Sequence, residues 1–396
     1  MRRLIIGLVL LVAACGPGQT QATASPSAGV ATPSANGTAA LSPSPTPSTS
    51  GPLLFAVLEA KIPASPYQWN TVAIAGLDGY ARAKTTFIPM PVPTVECAGA
   101  TLPPSAHVAG DKVYFADGAG VVRSLSASGQ IARVATFPFS GHQQMLSFAV
   151  SPDGSQLLGA VFTLPAKPSS WCGTPELSGY SLDVYSAKAG GSSTLLYHES
   201  LPGTGNVMAL FGWDKVGPFG TQPTGWASQG GGPAPYGRGS PVRIDAKTGK
   251  VLGEIGGANA CDVWNMAFSG DYACTEAPAT NSAGTYNAKV SVRRVDGSEI
   301  WHVTLTTDDG LVYSPDLAPD EAHVAVGINS ATEVVGQTGS QIKIGFYSSG
   351  WLNSSTLIGD VITASPNPNL AYVGLSAPGT VISLGFPGLF VGTVQT

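Results

Sequence analysis

One local pattern returns six times along this chain and constrains its fold more than any other feature. A short strand is followed by a polar turn that contains a glycine and then by a second strand, as in RIDAKTGKVLGEI at 243–255 and SVRRVDGSEIWHVTL at 291–305. These glycines lie at positions 79, 129, 190, 249, 297 and 350. A recurrence of about 50 residues or slightly more is typical of tandem structural repeats. We therefore expect an all-β body built from repeated units.

A second strand–turn–strand unit precedes these hairpins, as in FAVSPDGSQLLGAVF at 148–162 and PDLAPDEAHVAVGI at 315–328. Two such units give four antiparallel strands per repeat, which is the content of a β-propeller blade. We predict seven blades, with six as the alternative. The predicted blades span roughly 53–93, 105–140, 145–201, 205–257, 262–306, 311–359 and 361–396. Blade one lacks its innermost strand, so we expect strands from the two ends of the body to close the ring and remove the open edges.

The repeats resemble those of known propeller families. The segment SPDGSQLL at 151–158 resembles the repeat of TolB-type and WD40-like bacterial propellers. The segment VDGSEIWHVTL at 295–305 resembles the quinoprotein repeat, with Trp301 at its docking position between blades. This resemblance implies a propeller fold and no particular activity. A quinone site would also need a Ca²⁺ held by several oxygen ligands, and the sequence shows no such cluster, so we predict neither a cofactor nor a metal.

The N-terminus has the features of an export signal. A basic start, the apolar run at 4–12 and two alanines precede Cys15, and a run this short is typical of a signal peptide. The segment VAAC at 12–15 resembles the lipobox of bacterial lipoproteins, which implies cleavage after residue 14 and lipid on Cys15. An ordinary signal peptide with an incidental cysteine is the alternative.

The following segment, 15–52, consists mainly of Gly, Pro, Ser, Thr, Ala and Gln. Such a composition cannot bury enough apolar surface to fold. We therefore predict a lipidated tether that holds a domain at 53–396 outside the cytoplasmic membrane.

Charge and cysteine content narrow the possible partners and the compartment. Only 11% of the residues are charged and the formal net charge is −5, without the basic stripe that nucleic-acid binding needs. Four cysteines remain after Cys15, and an even number in an exported chain indicates disulfides. Their positions in the predicted blades pair Cys97 with Cys172 and Cys261 with Cys274; four free thiols are the alternative.

Several carboxylates near predicted turns are candidates for acid–base groups. Asp308, Asp309, Asp316 and Asp320 lie near the start of predicted blade six. Because Asp commonly caps turns, we interpret them as turn residues, like Asp153, Asp245 and Asp296. A carboxylate pair that performs acid–base chemistry is the alternative.

The long loops suggest a binding face. Within a blade the strands run a, b, c and d from the axis outward, so the b–c and d–a connections emerge on the same side. Long segments at 163–179, 226–240, 277–287 and 330–340 are predicted b–c loops, and 89–106 is a d–a link. Loops on a rigid scaffold often carry function. The candidate contact residues on this face are Trp171, Trp226, Tyr236, Arg238, Tyr286 and Glu333. Tolerated insertions without a function are the alternative.

Three functions are compatible with these features. The first is a non-catalytic binding or scaffold module for a protein or a glycan at the cell envelope. The second is a propeller enzyme, such as a dehydrogenase, lactonase or glycan hydrolase, with its site in the axial funnel. The third is a receptor for a small ligand. Catalytic motifs such as GxSxG and HExxH are absent from the sequence, which favours the first.

Overall fold

The computed structural model describes most of the region after residue 52. The described residues are 53–62, 68–91, 106–141, 143–163, 180–201, 209–221, 241–255, 261–276, 279–280, 285–307, 312–328, 331–360 and 369–395. All regular elements in these ranges are β-strands, and they form seven antiparallel sheets. The protein is thus a seven-bladed β-propeller, as the repeat predicted. The predicted signal peptide, Cys15 and the tether lie outside the described residues.

The strands follow one another from blade to blade. Blade one contains β1 (Leu54–Ile62), β2 (Gln68–Gly76) and β3 (Ala81–Thr86). Blade two contains β4 (Ala106–Ala109), β5 (Lys112–Ala116), β6 (Val121–Ser126) and β7 (Ile131–Thr136). Blade three contains β8 (Gln144–Val150), β9 (Gln156–Thr163), β10 (Tyr180–Lys188) and β11 (Ser193–Leu201). Blade four contains β12 (Ala209–Trp213), β13 (Pro218–Thr221), β14 (Pro241–Ile244) and β15 (Val251–Glu254).

The remaining blades continue the same order. Blade five contains β16 (Asp262–Met266), β17 (Tyr272–Thr275), the short β18 (Ala279–Thr280), β19 (Tyr286–Arg293) and β20 (Glu299–Thr307). Blade six contains β21 (Val312–Leu317), β22 (His323–Ile328), β23 (Ala331–Gly336) and β24 (Gln341–Ile344). Blade seven contains β25 (Tyr347–Asn353), β26 (Thr356–Asp360), β27 (Asn369–Gly374) and β28 (Ile382–Pro387).

The last strand, β29 (Leu389–Val394), closes the ring. It pairs antiparallel with β1 and supplies the inner strand that blade one lacks. It also contacts β25 of blade seven and β4 of blade two. Blade one is therefore joined through β29 to the blades on both of its sides. The predicted closure by strands from the two ends is confirmed.

The core lies between the blades. Separate apolar clusters join blade one to two, blade five to six, blade six to seven and blade seven to one, while a larger cluster joins blades two, three and four. Fully buried aromatic rings centre these layers, among them Phe55, Phe115, Phe148 and Phe346. Trp301 of β20 reaches into blade six, where its Nε1–H donates to the carbonyl oxygen of Glu321 at 2.9 Å. Its predicted position at the blade interface is confirmed.

Glycines close the outer hairpins because the turns need a positive φ. In blades one to six the c–d turn contains a glycine in the left-handed region, with φ between 70° and 84°; a side chain there would be strained. The turn glycines are Gly79, Gly129, Gly190, Gly249, Gly297 and Gly339. Five of them match the sequence prediction. The sixth predicted turn residue, Gly350, lies instead inside β25, the inner strand of blade seven.

The same error shifted the boundary between the last two blades. Predicted blade six, 311–359, contains the observed blade six and the first two strands of blade seven. The segment 330–340 is not a long b–c loop, because β23 occupies 331–336 and a tight turn follows it. The predicted turn residues Asp153, Asp245, Asp296 and Asp320 do accept backbone N–H bonds in turns, whereas Asp308 and Asp309 lie outside the described residues.

One predicted disulfide is present. Cys261, just before β16, is bonded to Cys274 on β17, with their Cα atoms 5.3 Å apart. Both residues are buried, so the bond locks the inner two strands of blade five together. Cys97 and Cys172 lie outside the described residues, and their pairing remains a prediction.

Candidate ligand-binding site

A polar cavity of about 230 Å³ lies among the inner strands of blades five, six and seven. Blade six supplies Ser314 and Asp316 from β21 and a largely apolar wall from β22, including Ala325 and Val326. The polar lining is completed by Asn265 of β16, Thr332 of β23, and Tyr347 and Ser348 of β25. The cavity therefore combines hydroxyls, an amide and a single carboxylate.

The strand that carries the carboxylate is irregular at this point. Tyr313 pairs with Gly327 and Asp316 pairs with Ala325, so Ser314 and Pro315 together face one residue of β22. This arrangement is a β-bulge, which bends a strand and is common beside functional sites. Pro315 has no N–H to place in the ladder. Ser314 has a φ of 52°, a left-handed conformation that costs about 1–2 kcal/mol for a residue with a Cβ.

Asp316 is held by neighbours on two other blades. The Nδ2 atom of Asn265 in blade five donates to its Oδ1 at 3.1 Å. Its backbone oxygen accepts the Nε1–H of Trp351 in blade seven at 3.0 Å. Surrounding protein atoms remove most water from the carboxyl and raise its pKa from 3.8 to about 6, while the Asn265 bond opposes this rise. The side chain remains partly exposed toward the cavity, so it can change protonation near neutral pH.

Backbone bonds fix the wall opposite Asp316. The Ser348 N–H donates to the Thr332 hydroxyl at 2.8 Å, and the Thr332 N–H donates to the Phe346 carbonyl oxygen at 3.1 Å. Thr332 is only 3% exposed. Blades six and seven are thus bonded directly at the cavity, which makes its shape part of the ring scaffold.

The chain resembles known proteins at the level of the fold alone. No family model matches the chain, and no curated protein matches it. Solved structures do resemble it in fold. The Pyrococcus horikoshii acylaminoacyl peptidase is 10% identical with a TM-score of 0.45, covering 84% of this chain and 50% of its own.

Two further solved structures have similarly low sequence identities and TM-scores. The oligogalacturonate lyase of Vibrio parahaemolyticus is 9% identical with a TM-score of 0.42, covering 80% of this chain and 84% of its own. A putative TolB of Agrobacterium tumefaciens is 12% identical with a TM-score of 0.31, covering 88% of this chain and 92% of its own. They include enzymes and a protein of another kind, and no statement about the activity of this chain rests on them.

The predicted contact residues do not form this cavity. Trp171, Trp226, Tyr236 and Arg238 lie outside the described residues. Tyr286 begins β19 and is half-buried. Glu333 is in β23 with 8% of its surface exposed, so it is a buried strand residue and not part of a loop.

Sequence reasoning missed most of the cavity. Asn265, Ser314, Thr332 and Tyr347 belong to no motif, and Asp316 was interpreted as a turn residue although it lies in an inner strand. The one local signal was proline beside a carboxylate in Ser314-Pro315-Asp316, a combination that marks a bulge when it falls inside a strand.

The longer connections do share one side of the propeller. The a–b and c–d turns are short throughout, as at 110–111 and 337–340. The b–c connections include 164–179 and 222–240, and the d–a link from blade one to blade two is 87–105. Because neighbouring strands are antiparallel, b–c and d–a connections begin and end on the same face, which we call the loop face.

Neither a membrane-spanning helix nor a cluster of metal ligands occurs among the described residues. No helix in this part of the chain is long and apolar enough to cross a membrane. No three His, Cys, Asp or Glu side chains within the described ranges are grouped as a metal site would require.

Proposed function

We propose that this protein is a non-catalytic binding module, anchored outside a cell membrane by lipid on Cys15, whose loop face binds a protein or a glycan. The observation that carries the proposal is the asymmetry of the ring. Short turns occupy one face, whereas connections such as 164–179 and 222–240 start from the other. A closed scaffold that presents variable loops on one side is a common basis for recognition.

The physical basis of recognition would be rigidity. β29 closes the ring, and buried bonds such as the one from Trp301 to blade six hold neighbouring blades in register. Loops that start from fixed strands lose less conformational freedom on binding than loops on a mobile base. Aromatic and arginine side chains such as Trp226, Tyr236 and Arg238 are the types that dominate binding energy at interfaces.

The test is a crosslinked pull-down of the full, lipidated chain from its own membranes. We expect a stoichiometric protein or glycan partner that is lost when Trp226, Tyr236 and Arg238 are replaced together by alanine. The matched control replaces Tyr80, Lys247 and Phe268, which are exposed on the short-turn face, and should retain the partner. Equal capture by both variants would contradict a binding role for the loop face.

The anchor has a separate test. We expect Cys15→Ser to prevent lipid attachment, because the proposed lipobox places the lipid on the Cys15 thiol. The protein should then leave the membrane fraction. Fractionation with mass spectrometry of the mature N-terminus would show this. A wild-type N-terminus that lacks Cys15 would contradict the proposed lipidation.

A further inference from the structure

We propose that the cavity among blades five, six and seven binds a primary ammonium group on a short aliphatic chain, with Asp316 as its charged partner. This inference does not depend on the long loops of the loop face, because the residues involved belong to strands of the blades. The ammonium could belong to a free alkylamine or to a lysine side chain of a bound protein, and the chemistry at the cavity is the same.

The charge of the inner ring favours a cation. The seven inner strands, which are all among the described elements, contain no lysine or arginine, and Asp316 of β21 places a carboxylate at the cavity. Asp360 lies opposite Tyr347 in the pairing of β25 with β26 and adds a further acidic group near the cavity. An anion would therefore enter a negative field without a compensating charge, whereas a cation would be attracted.

The carboxylate has an oxygen available for a ligand. Asn265 bonds to Oδ1, and no described residue donates to Oδ2. Oδ2 lies toward Gly350 of β25, where an added Cβ would be 3.8 Å away. The Phe390 ring fills the space beside Gly350, where it would lie 2.6 Å from that Cβ, so a ligand would approach the carboxylate from the cavity that Asp316 lines. An ammonium has three donors, which Oδ2 and the hydroxyl oxygens of Ser314 and Tyr347 can accept.

The size of the cavity and the apolar wall from β22 suit the end of an aliphatic chain. The cavity has a volume of about 230 Å³. This is below the usual size of pockets for drug-sized ligands and is sufficient for an ammonium with a few methylenes. Ala325 and Val326 provide apolar surface, against which an aliphatic stem can pack while its head remains at the carboxylate.

Burial explains why the site would need such a ligand. A carboxylate that has lost most of its water is normally paired with a charge, yet the described neighbours of the partly exposed Asp316 supply only a neutral amide. The strained backbone of Ser314 lies beside it, and strain of this kind is often maintained at functional sites. Tyr347 is the titratable side chain that lines the cavity with Asp316, and β16, β21 and β25 contain no histidine, lysine or arginine.

The test measures binding of three probes to the full chain by calorimetry in 150 mM NaCl. The probes are Nα-acetyl-lysine methylamide, n-butylamine and the neutral Nε-acetylated form of the first. We expect both amines to bind at pH 7.5 and the neutral probe to bind at least tenfold more weakly, because it lacks the charge-assisted bond. Tighter binding of blocked lysine than of butylamine would identify a lysine side chain as the source, and the reverse would identify a free amine.

One substitution should abolish this preference. Asp316→Asn keeps the shape of the side chain and removes its charge, so we expect at least a tenfold loss of amine affinity. The control Asp271→Asn removes a partly buried carboxylate from a turn on the short-turn face and should leave the affinity unchanged.

A pH series on the wild-type chain gives an independent test, which remains valid if Asp316→Asn folds poorly. One pH unit below a pKa of about 6, about one tenth of the carboxyl is ionised, so affinity should fall about tenfold between pH 7.5 and pH 5. Absence of amine binding up to 50 mM, equal binding of the neutral probe, or affinity unchanged by both Asp316→Asn and pH would overturn the proposal.

Discussion

Asp316 is a residue at which stability and ligand binding make opposite demands. Its pKa is raised from 3.8 to about 6 because folding removes water from the carboxyl. The folded state then holds this proton more tightly than the unfolded state. The carboxyl therefore lowers stability as the pH rises from about 4 to about 6, and its full unfavourable effect is present above pH 6. A carboxyl that lowers the stability of the fold above pH 6 is consistent with a role in binding.

We expect Asp316→Asn to raise the free energy of unfolding by about 1–2 kcal/mol at pH 7.5 and to change it little at pH 4. This change in free energy is smaller than the full pKa shift would give, because the side chain of Asp316 is partly exposed and solvent screens its charge. Urea unfolding of both proteins at the two pH values provides the measurement. The same gain at pH 4 and pH 7.5 would show that ionisation is not the cause.

Ser314 offers a second test at the residue scale. Its φ of 52° is unfavourable for serine by about 1–2 kcal/mol, whereas glycine adopts it freely but loses about 0.5–1 kcal/mol through the entropy of the unfolded chain. We expect Ser314→Gly to stabilise the protein by about 0.5 kcal/mol. Ser200→Gly, at an exposed and regularly paired position of β11, should instead destabilise it by about 0.5–1 kcal/mol. Thermal unfolding of the pair would decide, and destabilisation by both would contradict strain at Ser314.

At the scale of the element, blade four shows how a charged pair supports short strands. Its strands β13, β14 and β15 have four residues each. Arg243 of β14 donates to both carboxylate oxygens of Asp214, at 2.8 and 2.6 Å, and to the Gly217 carbonyl oxygen at 2.8 Å. Asp214 also accepts two backbone N–H bonds from its own turn. The pair thus joins the a–b turn to the third strand of the blade.

We expect Arg243→Met to lower the free energy of unfolding by about 3–4 kcal/mol, because it leaves a buried carboxylate without its charged partner. Asp214 is only 2% exposed at its side chain and Arg243 11%. The control is Arg82→Met, which breaks the ion pair with Asp78, whose side chains are 38% and 46% exposed, and it should change stability far less than Arg243→Met. Denaturant titration would measure both, and similar losses would show that burial is not decisive.

The elements also show what could be predicted from the sequence. The c–d hairpins of blades one to five were found because their turns need a glycine with positive φ, and such a turn leaves a local signature. The c–d hairpin of blade six was predicted at the wrong position, because the same signature also occurs elsewhere. SSGWLNSS at 348–355 has the composition of a polar glycine turn, but Gly350 is inside β25, while the true turn uses Gly339. A hairpin signature does not state which strands of the blade it joins.

The cavity could not be predicted for a related physical reason. Asn265, Asp316 and Tyr347 lie in three blades and meet only because the inner strands converge in the ring. The disulfide between Cys261 and Cys274 was predictable because one cysteine lies just before the first strand of blade five and the other lies in its second strand. Contacts within a blade leave a pattern in the local sequence, whereas contacts between blades depend on the count and order of all seven.

At the scale of the whole molecule, the ring depends on one C-terminal strand. β29 pairs with β1 from Leu54 to Leu58 and contacts the inner strands of blades two and seven. Without it, β1 would present an unpaired edge, and buried residues of β1 such as Leu54 and Ala56 would lose part of their cover. Blades one and seven would then no longer be joined through this strand.

We therefore expect a chain that ends at Gly388 to melt at least about 10 °C lower than the full chain and to lose its single cooperative transition, since several kcal/mol of packing are removed and each is worth a few degrees. The control ends at Val394, keeps β29 and loses the bond from the Gln395 N–H to the Gly110 carbonyl oxygen at 3.0 Å; it should melt within a few degrees of the full chain. A synthetic peptide of residues 389–395 should restore the transition of the shorter chain, while a scrambled peptide should not. Unchanged cooperative melting of the chain that ends at Gly388 would show that the contacts between the other blades suffice to hold the ring.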